Sequence, residues 1–313
     1  MRIAITPPLK FLEKLRRVLL LLLLLGNLSA ALACTGTPQV SEITVFNADR
    51  AFRDLEYQVQ LGPRIPGSSA HEQVRAWLIS INKQSGWEME AQSVIYQGNE
   101  IHNIIAKREI DQHLPWIIIG AHYDSRIIAD RDPLPENRSK PVPGANDGAS
   151  GVAVLNEIAR ILPADLQVNI WLVYFDAEDN GSMPGGEWIL GSRAFVEKLK
   201  GTPDAVIVVD MVADRDLNIY IEQNSNEDLA AEVWSVAKSL GYEDTFINQP
   251  KYHIIDDHIP FIQAGIPAID IIDFEYRYWH TVSDTVDKVS ADSLGIVGRV
   301  VVAWLLEKYG EDN

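Results

Sequence analysis

Three apolar runs in this chain end in side chains that could do chemistry. Residues 116–119 run into Gly120-Ala121-His122-Tyr123-Asp124. Residues 170–175 run into Asp176-Ala177-Glu178-Asp179, and residues 206–209 into Asp210. Continuous apolar runs of this length read as strands buried on both faces. In open α/β sheets, ligands bind just beyond the carboxyl ends of the strands. His122, Glu178, Asp179 and Asp210 are therefore expected to meet on one rim. A buried carboxylate costs several kcal/mol unless it is paired or holds a metal, so a group of acids beside an imidazole calls for a cation. The chain has one cysteine, Cys34, which excludes an internal disulfide and any cysteine-rich zinc site. Metal ligands must come from the acids and from His71, His102, His113, His122, His253, His258 and His280.

Two further segments could complete such a site. Gly144-Ala145-Asn146-Asp147-Gly148-Ala149-Ser150-Gly151 is a small-residue turn opening a helix. Asp147 there is either an N-cap or a group aimed at a metal that small residues let the backbone approach. Near the C-terminus, Tyr278-Trp279-His280-Thr281 sets an imidazole beside an aromatic ring. Tyr123 and Asp124 are expected to support His122 from behind. His258 follows Asp256 and Asp257 in a segment that could open a helix, and is expected to be a hydrogen-bonded structural residue. Asp270 lies inside an apolar strand and needs a partner. His71, His102, His113 and His253 have no metal-ligand context. Residues 126–143 and 180–187, rich in charge with proline or glycine, are candidate lids at the rim.

The elements that must hold these residues alternate. Helical periodicity marks 48–61, 70–83, 148–162, 192–199, 227–240 and 290–309. Strands are expected at 87–96 and 103–107, then at 116–119, 170–175, 206–209 and 268–272. No internal repeat or second composition regime divides residues 48–313. The expected fold is one α/β domain: a three-layer α/β/α sandwich around a central, mostly parallel, mixed and twisted sheet.

Ahead of this domain, basic residues 1–17, a run of eight aliphatic residues from Val18 to Leu25, and the small-x-small pattern Ala31-Leu32-Ala33 describe a secretory signal peptide over 1–33. The apolar run is too short to span a bilayer, which takes about 20 residues. Cys34 then stands where bacterial lipoproteins carry their acylated cysteine, with 34–47 as a linker. The expected destination is the cell envelope, periplasmic or extracellular, with a lipid anchor through Cys34. Lys+Arg 27 against Asp+Glu 44 gives a formal net charge of −17. Such a chain is repelled by phosphate backbones, which excludes nucleic acid as a partner. A solute-binding lipoprotein with a degenerate metal site is the non-enzymatic reading of the same features.

In their order along the chain, His122-x-Asp124, Asp147 in its turn, Phe175-Asp176-Ala177-Glu178-Asp179, Asp210 and Trp279-His280-Thr281 resemble the zinc exopeptidase superfamily of leucyl-type aminopeptidases and glutaminyl cyclases, metallopeptidase family 28. The likeness spans residues 64–289. Arg64-Ile65-Pro66-Gly67-Ser68, 188–192 and 256–261 look like the animal-type glutaminyl-peptide cyclotransferases of bacteria. The resemblance implies one zinc ion held by Asp147, Asp179 and His280, with Glu178 as proton carrier. It also implies that Asp210 and Asp256 form a hydrogen-bonded acidic pair, that Trp279 lines the substrate pocket, and that the protein is a monomer acting on peptide N-termini. The product would be pyroglutamate from an N-terminal Gln, with ammonia released. Asp179 stands where the family usually has a second glutamate, and the turn at 144–151 is closer to the aminopeptidase form. The alternative is thus an aminopeptidase with two zinc ions, the second bound by His122 and Asp210, with Asp147 bridging.

Overall fold

The structure, a computed structural model, describes residues 46–183 and 185–310. The expected signal peptide, Cys34 and nearly all of the expected linker lie outside the described residues.

Alternation along the central strands decides the layering. In β3 (Trp116–His122), Ile117 and Ile119 face one core and Ile118 the other. In β4 (Asn169–Phe175) Leu172 and Val173 divide the same way, and in β5 (Ala205–Asp210) Ile207 and Val209 oppose Val206 and Val208. Strands apolar on both faces must be covered on both faces. One face carries α1 (Ala48–Gln60), α2 (Ser69–Gln84), α3 (Ala149–Ile161), α5 (Glu227–Ser239) and α7 (Ala291–Tyr309). The other carries the short α4 (Leu190–Lys198) and α6 (Ile259–Gln263). Side-chain caps start several of these helices. Asn47 accepts from Arg50 N, Ser68 from His71 N, and Asn226 from Leu229 N.

The main sheet runs β1-β2-β4-β3-β5-β8, with β1 (Glu88–Tyr96), β2 (Asn99–Arg108) and β8 (Ala268–Ile272) completing it. The pairs β4–β3, β3–β5 and β5–β8 are parallel; β1–β2 and β2–β4 are antiparallel. The expected three-layer mixed sandwich is what forms. The β1–β2 hairpin turns through Gln97 and Gly98, both at positive φ.

The boundaries differ in places. β2 begins at Asn99 rather than 103, because its outer half pairs with β1 through exposed Asn99 and Glu100 and half-buried His102, which break the apolar run around buried Ile101. The helix expected at 192–199 begins at Leu190. A second, two-stranded parallel sheet of β6 (Ile219–Ile221) and β7 (Phe246–Pro250) was not anticipated; three and five residues are too few to show a period.

Helix α3 brings the site together. Twelve of its thirteen residues are buried, Arg160 being the exception, and its first turn is made of alanine, serine and glycine. A Cβ on Gly151 would sit 2.0 Å from the carbonyl oxygen of Val209 in β5. Only glycine lets α3 approach the strand so closely, and that approach sets the turn ahead of the helix beside the ends of β3 and β5.

Candidate metal centre

His122 is the last residue of β3. Its Nε2 lies 3.1 Å from Asp210 Oδ1 and 3.2 Å from Asp147 Oδ1, and its Nδ1 lies 3.3 Å from Asp124 Oδ1. Asp124 does more than support the imidazole. Its two oxygens accept from the backbone N–H of Glu178 (3.1 Å) and Asp179 (3.3 Å), so one buried carboxylate aims the histidine of β3 and the loop after β4. Tyr123 faces elsewhere. Its hydroxyl donates to His102 O at 2.8 Å and its ring stacks on His71. His71 in turn lies 2.7 Å from Asp176 through Nε2, a buried pair under the Glu178 loop.

Asp147 is not an N-cap. Gly148, at φ +93°, takes that position with no side-chain bond, and Asp147 is left free to face the rim. The turn is tied from three sides. Asp284 accepts from Asn146 N (2.8 Å) and Asp147 N (3.1 Å), and Asn146 Oδ1 accepts from Ala213 N at 2.7 Å. The wholly buried guanidinium of Arg64 donates to the carbonyls of Tyr123, Pro143 and Gly144. This gives Arg64-Ile65-Pro66-Gly67 its purpose: it stitches the end of β3 to the turn.

His280 arrives on a late loop with φ at 57°. Ala177, ahead of Glu178, and Met211, after Asp210, also hold positive φ, at 51° and 46°. His280 Nε2 lies 3.0 Å from Asp179 Oδ1 and 3.8 Å from Asp147 Oδ2. Its ring packs between Trp188, 5.9 Å away and nearly parallel, and Trp279, at 3.9 Å.

Single ligand atoms of Asp147, Asp179 and His280 lie within 4.8 Å of one another, and so do those of His122, Asp147 and Asp210. The two sets are not equivalent. In the first, Asp147 Oδ2, Asp179 Oδ2 and both ring nitrogens of His280 are buried without any hydrogen bond. In the second, His122 and Asp210 satisfy each other, and Asp210 also accepts from Met211 N at 2.8 Å. Buried polar atoms left without partners need an explanation. Two carboxylates and an imidazole are the donors of an open four-coordinate zinc site, so the first set fits that ion.

A cavity of about 240 Å³ contains Asp147, Glu178, Asp179, Asp210, Asp256 and His280 in its wall, with Trp188 and Trp279 among its apolar lining. A larger one, about 500 Å³, beside Pro66, Ile127 and Leu190, holds none of these acids. The expected bond between Asp210 and Asp256 takes another form. Both share the cavity, but Asp256 accepts from Asp257 N. Burial pushes the Glu178 carboxyl well up and Asp210 up to about 7; the charge of Asp256 adds to both, against His122. Burial also raises Asp179 to about 6. Burial opposes charge on His280, yet Asp179, Asp130 and Asp147 raise it to about 9.

Four participants escaped the sequence. Arg126 is buried and donates to Asp179 Oδ1 at 2.9 Å; Asp130 lies 3.5 Å from His280 Nδ1; Asp284 holds the turn; and His253, given no role, lines the cavity. The stretch 126–143 is no free lid. Val142 N bonds Arg126 O, Arg131 N bonds His280 O, and Val282 N bonds Asp132 Oδ2.

The sequence profile described as peptidase family M28 matches residues 103–305. A glutaminyl cyclase structure from Porphyromonas gingivalis is 32% identical, covering 84% of this chain and 99% of that one, with a TM-score of 0.80. A Zn-dependent exopeptidase from Parabacteroides distasonis is 32% identical over 86% of this chain and 100% of that one, TM-score 0.78. A leucine aminopeptidase precursor from Bacteroides thetaiotaomicron is 31% identical over 87% and 99%, TM-score 0.80.

Proposed function

The chain belongs to peptidase family M28, and on that footing we propose that it is a zinc-dependent glutaminyl-peptide cyclotransferase. The observation that carries this over the family's peptidase chemistry is the inequality of the two donor sets. One keeps Asp147 Oδ2, Asp179 Oδ2 and both nitrogens of His280 buried without a hydrogen bond. In the other, His122 and Asp210 are already engaged with each other. That supports a single zinc ion, at Asp147, Asp179 and His280.

Cyclisation joins two groups of one residue, so the site must chiefly fold an N-terminal Gln into reactive geometry. Bound zinc supplies Lewis acidity at the γ-carbonyl oxygen. Glu178, held by Asp124 through its backbone, faces the same cavity. It takes a proton from the α-amine as that nitrogen bonds to the carbonyl carbon of the side-chain amide, and returns it to the departing amide nitrogen, which leaves as ammonia. Its raised pKa suits a group that must both accept and give. Asp210 and Asp256 stand at the cavity wall, where the substrate's neutral α-amine docks. Trp279 and Trp188 flank His280 and keep water from the side-chain carbonyl carbon, which favours transfer over hydrolysis.

The second reading, an aminopeptidase, rests on Asp147. Its Oδ1 faces His122 and its Oδ2 faces His280, the arrangement of a carboxylate bridging two ions. There Glu178 would take its proton from the water that attacks the first peptide bond. The signal at 1–33, the lipid anchor at Cys34 and an envelope location remain part of the proposal, supported by the order basic, apolar, small, cysteine; a monomeric state is proposed on the family resemblance alone.

Incubating the zinc-loaded protein with a Gln-initiated peptide and following its mass tests the reading. Loss of one ammonia supports the cyclase; loss of a whole residue overturns it in favour of the peptidase. Glu178→Gln is expected to lower turnover by about 10²-fold or more while native mass spectrometry still finds zinc. Loss of zinc in that variant would make Glu178 a ligand.

A further inference from the structure

We propose a further cation site behind the rim, in which Asp256, His258 and Asp270 hold a divalent transition-metal ion. It shares no residue with the set at Asp147, Asp179 and His280, and does not depend on the cyclase reading.

The strand period puts Asp270 there. In β8, Ile269 and Ile271 face the larger core. Asp270, between them and in register with Val208, points to the opposite face, where α6 packs. His258 begins α6, and Asp256 lies two residues ahead of it. One ligand atom from each of the three lies within 4.8 Å of the others, and all three residues are buried.

A group of acids alone would show nothing, but here both carboxylate oxygens of Asp270 and the Nδ1 of His258 are buried without a hydrogen-bond partner, in residues with 0% exposure. The other half of the histidine explains which atom faces the cluster. His258 Nε2 lies 3.0 Å from Glu222 Oε2. Glu222 already accepts from the backbone N–H of Asn224 (2.9 Å), Ser225 (2.8 Å) and Ile254 (3.0 Å). A carboxylate so surrounded by donors is itself the acceptor, so the ring donates to it through Nε2. Nδ1 then faces Asp270, 3.9 Å away. Carboxylates gathered in a dry compartment repel one another unless something positive lies between them. A histidine whose far nitrogen is fixed by a carboxylate is the usual support of a metal-bound imidazole.

Hard cations such as calcium and magnesium take oxygen ligands, while an imidazole with two carboxylates suits zinc and its neighbours. Three protein donors leave a fourth position open to water. An ion there would tie the segment bearing Asp256 to β8, and Asp256 also lines the catalytic cavity. The site therefore fixes one wall of that cavity from outside.

Zinc counted by native mass spectrometry on the full zinc-loaded chain tests this. Asp270→Val is expected to hold one ion fewer than the parent. Asp179→Ala should also lose one, from the other set, and the double variant two. An unchanged count in a folded Asp270→Val protein overturns the site, and Asp256 and Asp270 then share a proton instead. Crystals of the unaltered protein, measured on both sides of the zinc absorption edge, settle the matter should that variant not fold. An anomalous peak among Asp256, His258 and Asp270 supports the site, and a peak confined to Asp147, Asp179 and His280 overturns it. Neither measurement uses turnover, so failure here leaves the cyclase reading untouched.

Discussion

Arg126 is the residue on which the zinc ligands most depend from behind. Its guanidinium donates to Asp179 Oδ1 (2.9 Å), to Gly181 O (3.0 Å) and to Asp130 Oδ1 (2.7 Å), and lies over the Trp188 ring. It thus fixes the rotamer of a ligand one methylene shorter than the glutamate usual in the family. Arg126→Met is expected to weaken zinc binding about 10–100-fold, read by competition with a chromophoric chelator. Arg126→Lys should recover only part, because a compact ammonium lacks the planar guanidinium whose separate nitrogens reach Asp179, Gly181 and Asp130 at once; full recovery would reduce Arg126 to a point charge. The ligands themselves were legible because they stand where an apolar run stops. Arg126, Asp130 and Asp284 were not, since they come from loops whose spacing carries no period. The only trace of Arg126 was a charge in a proline-rich stretch.

The meeting of α3 with β5 is the element-level counterpart. Gly151 lets the two backbones touch, and the turn bearing Asp147 takes its place from that contact. Gly151→Ala is expected to push the helix away and cost about 1–3 kcal/mol, as overpacking does, seen as a lower Tm. It should weaken zinc binding as well, because Asp147 moves with the helix. Normal zinc affinity at a lowered Tm would separate the packing from the site. At this scale the central strands declared themselves through uninterrupted apolar runs, and the long helices through their period. What stayed hidden was short or mixed: β6 and β7, and the polar outer half of β2, whose pairing with β1 is a tertiary choice.

For the molecule as a whole, the ion is part of the fold. It is expected to balance acids brought together from the turn before α3 and the loop after β4, beside an imidazole from the C-terminal side. A ligand held about 1,000-fold above its Kd adds about 4 kcal/mol. Chelation should therefore lower the Tm on the order of 10 °C in a domain of this size, with recovery on adding zinc back; an unchanged Tm would mean the rim needs no cation to stay folded. Ala177, Met211 and His280 give this molecule a further character. Each twists its backbone left-handed without being glycine, at about 1–3 kcal/mol apiece, and each adjoins or is a working side chain. Substitutions that relax these bends would make a hardier protein and a blunter one, so selection for activity and selection for endurance pull on the same few positions.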